Sequence, residues 1–173
     1  MKIPVRAGIR VAAGFWLFLS AEASAQTQSR LPIPGVARTE ALVTNHASGT
    51  FEVRLTPQTM SDSAAGPTLG RMSIDKQFHG DLEGTSNGEM LTGGTVASGS
   101  GGYVAMELVS GILQGRHGSF VLQHSGTMTP SSQQLTISVV PGSGTGHLMG
   151  LAGTMKITIA DGKHSYDFEY SLP

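Results

Sequence analysis

The sequence contains no cysteine, and this absence excludes several kinds of site at once. A disulfide framework, a thiol nucleophile and a cysteine-ligated metal all require that residue. Neither H-x-H nor H-E-x-x-H occurs among the six histidines, so the common histidine patterns for metal ligation are missing too. Charged residues make up only 13% of the 173 residues, and long runs of strong helix formers are missing beyond the N-terminus. We therefore expect no metal and no cofactor.

The first 25 residues have the pattern of a secretory signal peptide. Lys2, Arg6 and Arg10 form a basic start, and residues 11–19 are apolar but too short to span a bilayer comfortably. Residues 23–25 match an A-x-A cleavage site, although an uncleaved anchor is the alternative. Cleavage there leaves a mature side-chain net charge of −3. We expect a periplasmic or secreted protein that binds neither nucleic acid nor, after cleavage, a membrane.

The rest of the chain divides into a leader and one domain. Residues 26–47 contain Pro32, Pro34 and Gly35 without a sustained period, which predicts a flexible leader. From residue 48 to residue 173, apolar and polar residues alternate in short stretches that Gly, Pro and Asp-Gly signals separate. This pattern predicts eight strands: Gly49–Leu55, Leu69–Phe78, Leu82–Leu91, two strands within Tyr103–Met128, Leu135–Val140, Thr154–Ala160 and His164–Leu172.

Strand ends and curvature are also predicted. Pro57 is expected to end the first strand, and residues 93–102 are expected to form a loop of small residues. Eight strands of this length predict an all-β fold and can close a barrel. The interior of such a barrel is either filled by side chains or holds one small ligand.

The central hairpin, Tyr103–Met128, carries the best candidates for chemistry. Taking Arg116 and His117 as the loop residues pairs Val109 with His124 and Glu107 with Gly126. Strand alternation then places one set of residues on the inner face: Tyr103, Ala105, Glu107, Val109, Leu113, Phe120, Leu122, His124 and Met128. The outer face is also apolar, with Val104, Met106, Leu108, Ile112 and Val121 beside Gln123. Because water rarely meets such a face, we expect a homo-oligomer.

The last hairpin has a stronger turn signal. Asp161-Gly162 is a preferred two-residue turn, and it pairs Ile157 with Tyr166 and Met155 with Phe168. One face of this hairpin is apolar and the other polar, as expected for strands between a core and solvent.

Five stretches of the chain carry a resemblance to a known family. The chain resembles a family of small bacterial proteins catalogued as a domain of unknown function, over about 125 residues from Gly49 onward. The matching stretches are GTFEV (49–53), DKQFHGDLEGTS (75–86), GYVAMELVSGILQGRHGSFVLQHSGTM (102–128), SGTGHLMGLAGTMKI (143–157) and DGKHSYDFEY (161–170). The resemblance implies a closed eight-stranded meander barrel similar to that of allene oxide cyclase. It implies no established activity, and no local motif of the cyclase is matched.

Glu107 and His124 are diagonal neighbours on the inner face of the hairpin, within reach of each other. Buried together, they would form an acid–base dyad or a structural hydrogen bond. Lys76, on the face of Met72, Ile74 and Phe78, and Glu83 either add charge to the cavity or lie near the barrel mouth with their charged ends in solvent, and the second is favoured. The residues predicted to contact a ligand are Tyr103, Glu107, Phe120, Leu122, His124, Tyr166 and Phe168.

Three functions follow from these observations. The first is binding of a small apolar or amphipathic ligand in the barrel, because its strands are apolar and carry few polar groups. The second is an enzyme of the cyclase or isomerase type that uses Glu107 and His124. The third is a structural or oligomeric interaction protein with a filled barrel.

Overall fold

A computed structural model describes residues 43–60, 68–95 and 99–173. They form eight strands: β1 Asn45–Gln58, β2 Leu69–Gly80, β3 Leu82–Thr95, β4 Ser100–Leu113, β5 Arg116–Thr129, β6 Ser132–Val139, β7 Ala152–Ala160 and β8 Lys163–Ser171. A short 3-10 helix, Gly146–Leu148, lies between β6 and β7. The predicted signal peptide and residues 26–42 of the predicted leader lie outside the described residues. Within the described ranges, no helix is long and apolar enough to cross a membrane.

The strands form a closed antiparallel meander barrel, which confirms the predicted fold class. Each strand pairs with the next along the chain, and β8 returns to pair with β1 from Asn45↔Tyr170 to Phe51↔His164. The β6–β7 pairing is short and is confined to Ser138↔Thr154. Because side chains alternate along each strand, the closed barrel buries one face of every strand.

The first strand is longer at both ends than its pattern predicts. It begins at Asn45, inside the predicted leader, and Ala47 is fully buried. It also continues past Pro57, which lies opposite Met72 of β2. The prediction that Pro57 ends the strand is therefore wrong. Because β8 pairs with β1 only as far as Phe51, the described residues place no ladder on the second side of Pro57, and its missing N–H is tolerated there.

The predicted register of the central hairpin is also wrong. The loop residues are Gln114 and Gly115, with φ values of 45° and 83°, and the strands meet at Leu113↔Arg116. Two positive φ values characterise the hairpin turn that matches strand twist. Contacts hold Gln114 in this uncommon conformation, because its backbone N–H bonds to Asp81 O at 2.8 Å and its side-chain amide donates to His46 O at 2.8 Å.

The corrected register keeps every side chain of the hairpin on its predicted face. Glu107 lies opposite Leu122 instead of Gly126, a shift of four residues along β5. A shift by an even number does not exchange the two faces of a strand. Glu107 and His124 therefore remain diagonal neighbours. The last hairpin has the predicted register, with Ile157↔Tyr166 and Met155↔Phe168.

The two ends of the barrel differ, and we name them by that difference. At the plugged end, the 3-10 helix between β6 and β7 places Leu148 inside, and Gly118 leaves the space that the Leu148 side chain occupies. Leucine side chains at this end are 0–1% exposed: Leu82, Leu113, Leu148 and Leu151. At the open end, inward-facing apolar side chains at the rim remain 44–66% exposed: Leu55, Met128, Leu135 and Ile159.

Candidate functional site

Four polar side chains meet inside the barrel between its two ends. Lys76 on β2, Ser86 on β3, Glu107 on β4 and His124 on β5 all point inward, and each is at most 8% exposed. The register brings them together, because Lys76 lies directly opposite Ser86 while Glu107 is a diagonal neighbour of both Ser86 and His124. We call these four residues the polar floor.

Glu107 is the centre of the polar floor and is fully buried. Its Oε2 accepts a hydrogen bond from Lys76 Nζ at 2.8 Å, and its Oε1 accepts one from the Ser86 hydroxyl. His124 Nε2 lies 3.0 Å from Oε2. A buried carboxylate is costly unless it is paired and hydrogen-bonded, and Glu107 is both.

A glycine makes room for this carboxylate. Gly88 lies opposite Glu107, and a Cβ added at Gly88 would be 2.8 Å from Glu107 Cα and 3.1 Å from Glu107 Cβ. Any larger residue would push β3 away from β4. Gly88 therefore has a packing role at the polar floor, as expected where two backbones approach closely.

Glu107 remains ionised at neutral pH. Burial alone would raise its pKa, but His124, the Lys76 ammonium and the Ser86 hydroxyl outweigh that effect and lower the pKa from 4.5 to about 2. A carboxylate with this pKa, and with both oxygens occupied, is a poor proton acceptor at neutral pH. Glu107 therefore orients Lys76 and His124.

Lys76 and His124 keep hydrogen-bonding capacity beyond their contact with Glu107. Among the described residues, Lys76 Nζ donates one hydrogen bond, to Glu107, although an ammonium has three donors. The ammonium also lies 5.0 Å from the centre of the Phe51 ring and 5.7 Å from that of Phe78. His124 Nε2 is buried and has no hydrogen-bond partner in the described residues, because Glu107 Oε2 is near enough but out of line with the ring N–H.

A cavity of about 740 Å³ extends from the polar floor to the open end. Lys76 and His124 are at its base, and the Tyr103 ring is on its wall. The other walls are mainly apolar and come from Phe51, Val53, Leu55, Ile74, Met90, Met128, Leu135, Ile157 and Ile159. A concave apolar space with a few polar groups at one point is the usual form of a small-molecule site.

Tyr103 adds a hydroxyl near this base. Burial, and secondarily the negative charge of Glu107, raises the pKa of Tyr103 above its usual value of 10.0. The phenol is therefore protonated at neutral pH and retains a hydrogen to donate.

The structure separates the predicted ligand contacts into three groups. Tyr103 and His124 line the cavity, and Glu107 lies behind the polar floor. The remaining four are packed in the core and do not line this cavity: Phe120, Leu122, Tyr166 and Phe168. The contact between Glu107 and His124 that the sequence predicts is present. Whether either residue is catalytic stays a prediction.

The favoured position in solvent holds for Glu83 but is wrong for Lys76, whose charge lies inside the barrel, and Ser86 was not predicted. Lys76 is buried and paired with Glu107, and Glu83 is exposed on the outside next to the plugged end, where it accepts a hydrogen bond from Gly80 N. The alternation Ile74, Lys76, Phe78 gave the available signal for an inward Lys76. That signal was discounted because buried lysines are rare without a partner.

The residues around Ser86 match the sequence pattern of a nucleophile elbow but not its structure. Residues 84–88 read G-T-S-N-G, but they lie within the continuous strand β3 and not at a strand-to-helix turn. The Ser86 hydroxyl donates to Glu107, which fixes it as a partner of that carboxylate. Within the described ranges, no group of three or more His, Asp or Glu residues is placed to hold a metal ion.

Comparisons with known proteins agree on one family. The family model described as "Protein of unknown function (DUF3224)" matches residues 47–170. A solved structure of a DUF3224 protein of unknown function from Shewanella oneidensis MR-1 is 49% identical. The alignment covers 76% of this chain and 100% of that one, with a TM-score of 0.70. A search of curated proteins finds no match. The resemblance found in the sequence is thus confirmed, and the chain belongs to the DUF3224 family.

Proposed function

We propose that this protein binds a small apolar or amphipathic molecule in the open end of its barrel. The observation that supports the proposal is the cavity of about 740 Å³, with mainly apolar walls and a base at Lys76 and His124. Its size lies within the range of roughly 300–1,000 Å³ typical of small-molecule sites. A barrel filled from end to end, the structural alternative, would leave no such space.

Native mass spectrometry of the purified full chain tests this proposal, through the mass of any molecule that co-purifies. Val53→Trp places an indole in the cavity, because Val53 lines it. Arg54→Trp is the matched control, since the next residue on β1 points outward and its side chain is 78% exposed. We expect a bound molecule or a bound neutral naphthylamine dye with wild type and Arg54→Trp, and at least tenfold weaker dye binding with Val53→Trp.

Two results would count against ligand binding in the cavity. One is a wild-type protein that binds no dye and carries no molecule. The other is equal binding by the two tryptophan variants when circular dichroism shows both to be folded. In the second case the dye would be bound elsewhere, for example on the outer apolar face.

We also propose that the protein acts outside the cytoplasm, because residues 1–25 have the signal-peptide pattern. N-terminal sequencing of protein from the periplasmic fraction should give a chain that begins at Gln26. A chain that begins at Met1 in the cytoplasm would contradict export.

An isomerase or cyclase is the second candidate, and the position of His124 at the base of the cavity beside Glu107 favours it. Because Glu107 is held ionised, His124 would be the group that exchanges protons with a substrate. The test compares the molecule extracted from wild type with that from His124→Gln by chromatography. Accumulation of a different isomer with wild type alone supports catalysis, and identical molecules support binding without turnover.

A further inference from the structure

The polar floor presents hydrogen-bond donors to the cavity, and its acceptor is already occupied. Both oxygens of Glu107 accept hydrogen bonds within the protein, and the residue is fully buried. Lys76 and His124, which both contact Glu107 Oε2, line the base of the cavity in front of it. A molecule that reaches this base therefore meets donors before it meets a free acceptor.

His124 is the second residue that a ligand meets at the base of the cavity. The residue is 3% exposed, and its Nε2 has no hydrogen-bond partner among the described residues. This atom lies 3.0 Å from Glu107 Oε2 and is inaccessible to solvent, so His124 meets the cavity with the rest of its ring. An oxygen acceptor at the base of the cavity would accept a hydrogen bond from one of the unused donors of Lys76 and contact this ring.

The charge at the base of the cavity also selects among ligands. A cationic head would approach the Lys76 ammonium, and Glu107 has no free oxygen to offer it. The repulsion is strong because the low dielectric of the interior screens it little. A carbonyl or a carboxylate oxygen meets the Lys76 ammonium first, and the protonated Tyr103 lies on the cavity wall.

The walls of the cavity determine the length and polarity of the rest of the ligand. From Lys76 to Met72 on β2 the barrel extends for about 10 Å toward the open end, given the rise of a strand and its tilt. Apolar side chains line that depth, including Val53, Ile74 and Met90. An unbranched or lightly branched hydrocarbon chain matches both the depth and the polarity of this space.

We propose that the ligand is an amphipathic molecule whose polar end is a carbonyl or carboxylate oxygen bound by Lys76 and His124. Its hydrocarbon part extends toward Leu55, Leu135 and Ile159 at the rim. This inference rests on the proposed function and adds the chemical class and the orientation of the ligand.

The experiment uses the wild-type full chain at neutral pH and three probes with the same hydrocarbon chain length. They are decanoate, the corresponding methyl ketone and decylamine, each used below its micelle concentration to displace a neutral naphthylamine dye. We expect decanoate and the ketone to displace the dye at concentrations at least tenfold lower than decylamine. Decylamine that binds as tightly as decanoate would overturn the inference while leaving ligand binding intact. If no probe or dye binds, the proposed function itself fails.

A variant then tests whether the polar floor causes the preference. The double variant Lys76→Met with Glu107→Gln removes both charges at nearly constant volume, and we expect decanoate and decylamine to bind within threefold of each other. His124→Leu is the second variant, because it leaves the Lys76–Glu107 pair in place and should weaken decanoate at least fivefold relative to decylamine. If these folded variants retain the full wild-type preference, the floor does not select the head group, and the inference is wrong.

Discussion

The plugged and open ends of the barrel are built from the same eight strands, yet they differ in how much of their inward-facing apolar side chains is exposed. Leu148 and Leu151 close the plugged end with 0% and 1% of their surface exposed. Leu135 and Ile159 occupy inward-facing rim positions at the open end and remain 45% and 66% exposed. The burial of these two leucines at the plugged end is explained by its contribution to the stability of the fold. The described residues leave the rim residues only partly covered, which is the arrangement expected of a site that a ligand completes.

The polar floor marks the boundary between these two regions. On the plugged side, Phe120, Phe168 and Tyr170 stack in sequence, with ring centres 5.9 and 5.3 Å apart. On the open side, Lys76 and His124 meet the cavity. The same alternation of inward and outward side chains can therefore stabilise the fold at one end of the barrel and bind a ligand at the other. Substitutions at the two ends should therefore have separable effects.

The largest expected effect on stability is at the plugged end. Phe168→Ala removes a fully buried ring and should lower the free energy of unfolding by about 3–5 kcal/mol. Ile159→Ala is the matched substitution at the rim, and it should cost roughly 0.5 kcal/mol because the side chain is already 66% exposed. Urea unfolding followed by circular dichroism measures both. Similar losses for the two variants would remove the distinction between the ends.

At the polar floor, breaking the ion pair should cost more than removing it. Lys76→Met leaves Glu107 buried without its counter-charge, and we expect a loss of about 3 kcal/mol. Adding Glu107→Gln should recover most of that loss, because a neutral amide tolerates burial better than an unpaired carboxylate. The same urea experiment applies. A double variant no more stable than Lys76→Met would show that the lysine stabilises the barrel by packing.

Acid should release the stabilisation that ionised Glu107 provides. Its pKa in the folded protein is about 2, below the ordinary value of 4.5, so this contribution is complete above about pH 4.5. It is lost as the pH falls through the folded-state pKa, and the difference corresponds to roughly 3 kcal/mol. Subtracting the unfolding free energy of Glu107→Gln from that of wild type at each pH isolates this residue. A difference that stays constant from pH 6 to pH 2 would contradict the assigned pKa.

The smallest effect on stability is expected for substitutions on the outer surface of the barrel. Val104, Met106 and Leu108 on the outer face of β4 are 50–54% exposed in the single chain. We propose that this face pairs with a second copy of the chain, because an apolar stripe is self-complementary about a twofold axis. The neighbouring Arg71 and Glu89, which pair with each other at 2.5 Å, could also exchange partners across such an axis.

Leu108→Lys should therefore abolish assembly while changing monomer stability by about 0.5 kcal/mol or less. Light scattering at micromolar concentration gives the mass of wild type and variant. Thr158→Lys is the control, because Thr158 is exposed on β7, which does not pair with β4. A monomeric wild type would contradict the second-copy proposal.

Strand alternation was enough to predict the strands and the inner face, because it depends only on neighbouring residues along the chain, and the family resemblance added the closed meander barrel. Glu107 and His124 were found in this way, and they stayed neighbours although the register was four residues off. Lys76 and Ser86 were not recognised, because their positions make sense only once β2, β3 and β4 are aligned side by side. The register of the central hairpin was missed because Gln114 adopts a positive φ that contacts with Asp81 and His46 support.

The plugged end also lay beyond sequence reasoning. The glycine-rich stretch 142–146 leads directly into the 3-10 helix Gly146–Leu148, whose Leu148 is fully buried. Its hydrogen bonds are to β5, with Thr145 N donating to Ser119 O at 2.8 Å and Ser119 N donating to the Thr145 hydroxyl at 3.0 Å. Such contacts between distant segments leave no periodic signal in the sequence.

Methyl NMR of the wild-type chain, titrated with decanoate, tests most directly whether the open end is the binding site. If decanoate binds in the open end, we expect saturable shifts at the methyl groups of Ile74, Met90 and Ile157, which line the cavity, and at Ile159 on the rim. Leu148 at the plugged end and Leu108 on the outer face should remain unchanged. Shifts confined to Leu108 and its outer-face neighbours, or no saturable shift at any methyl group, would contradict the account.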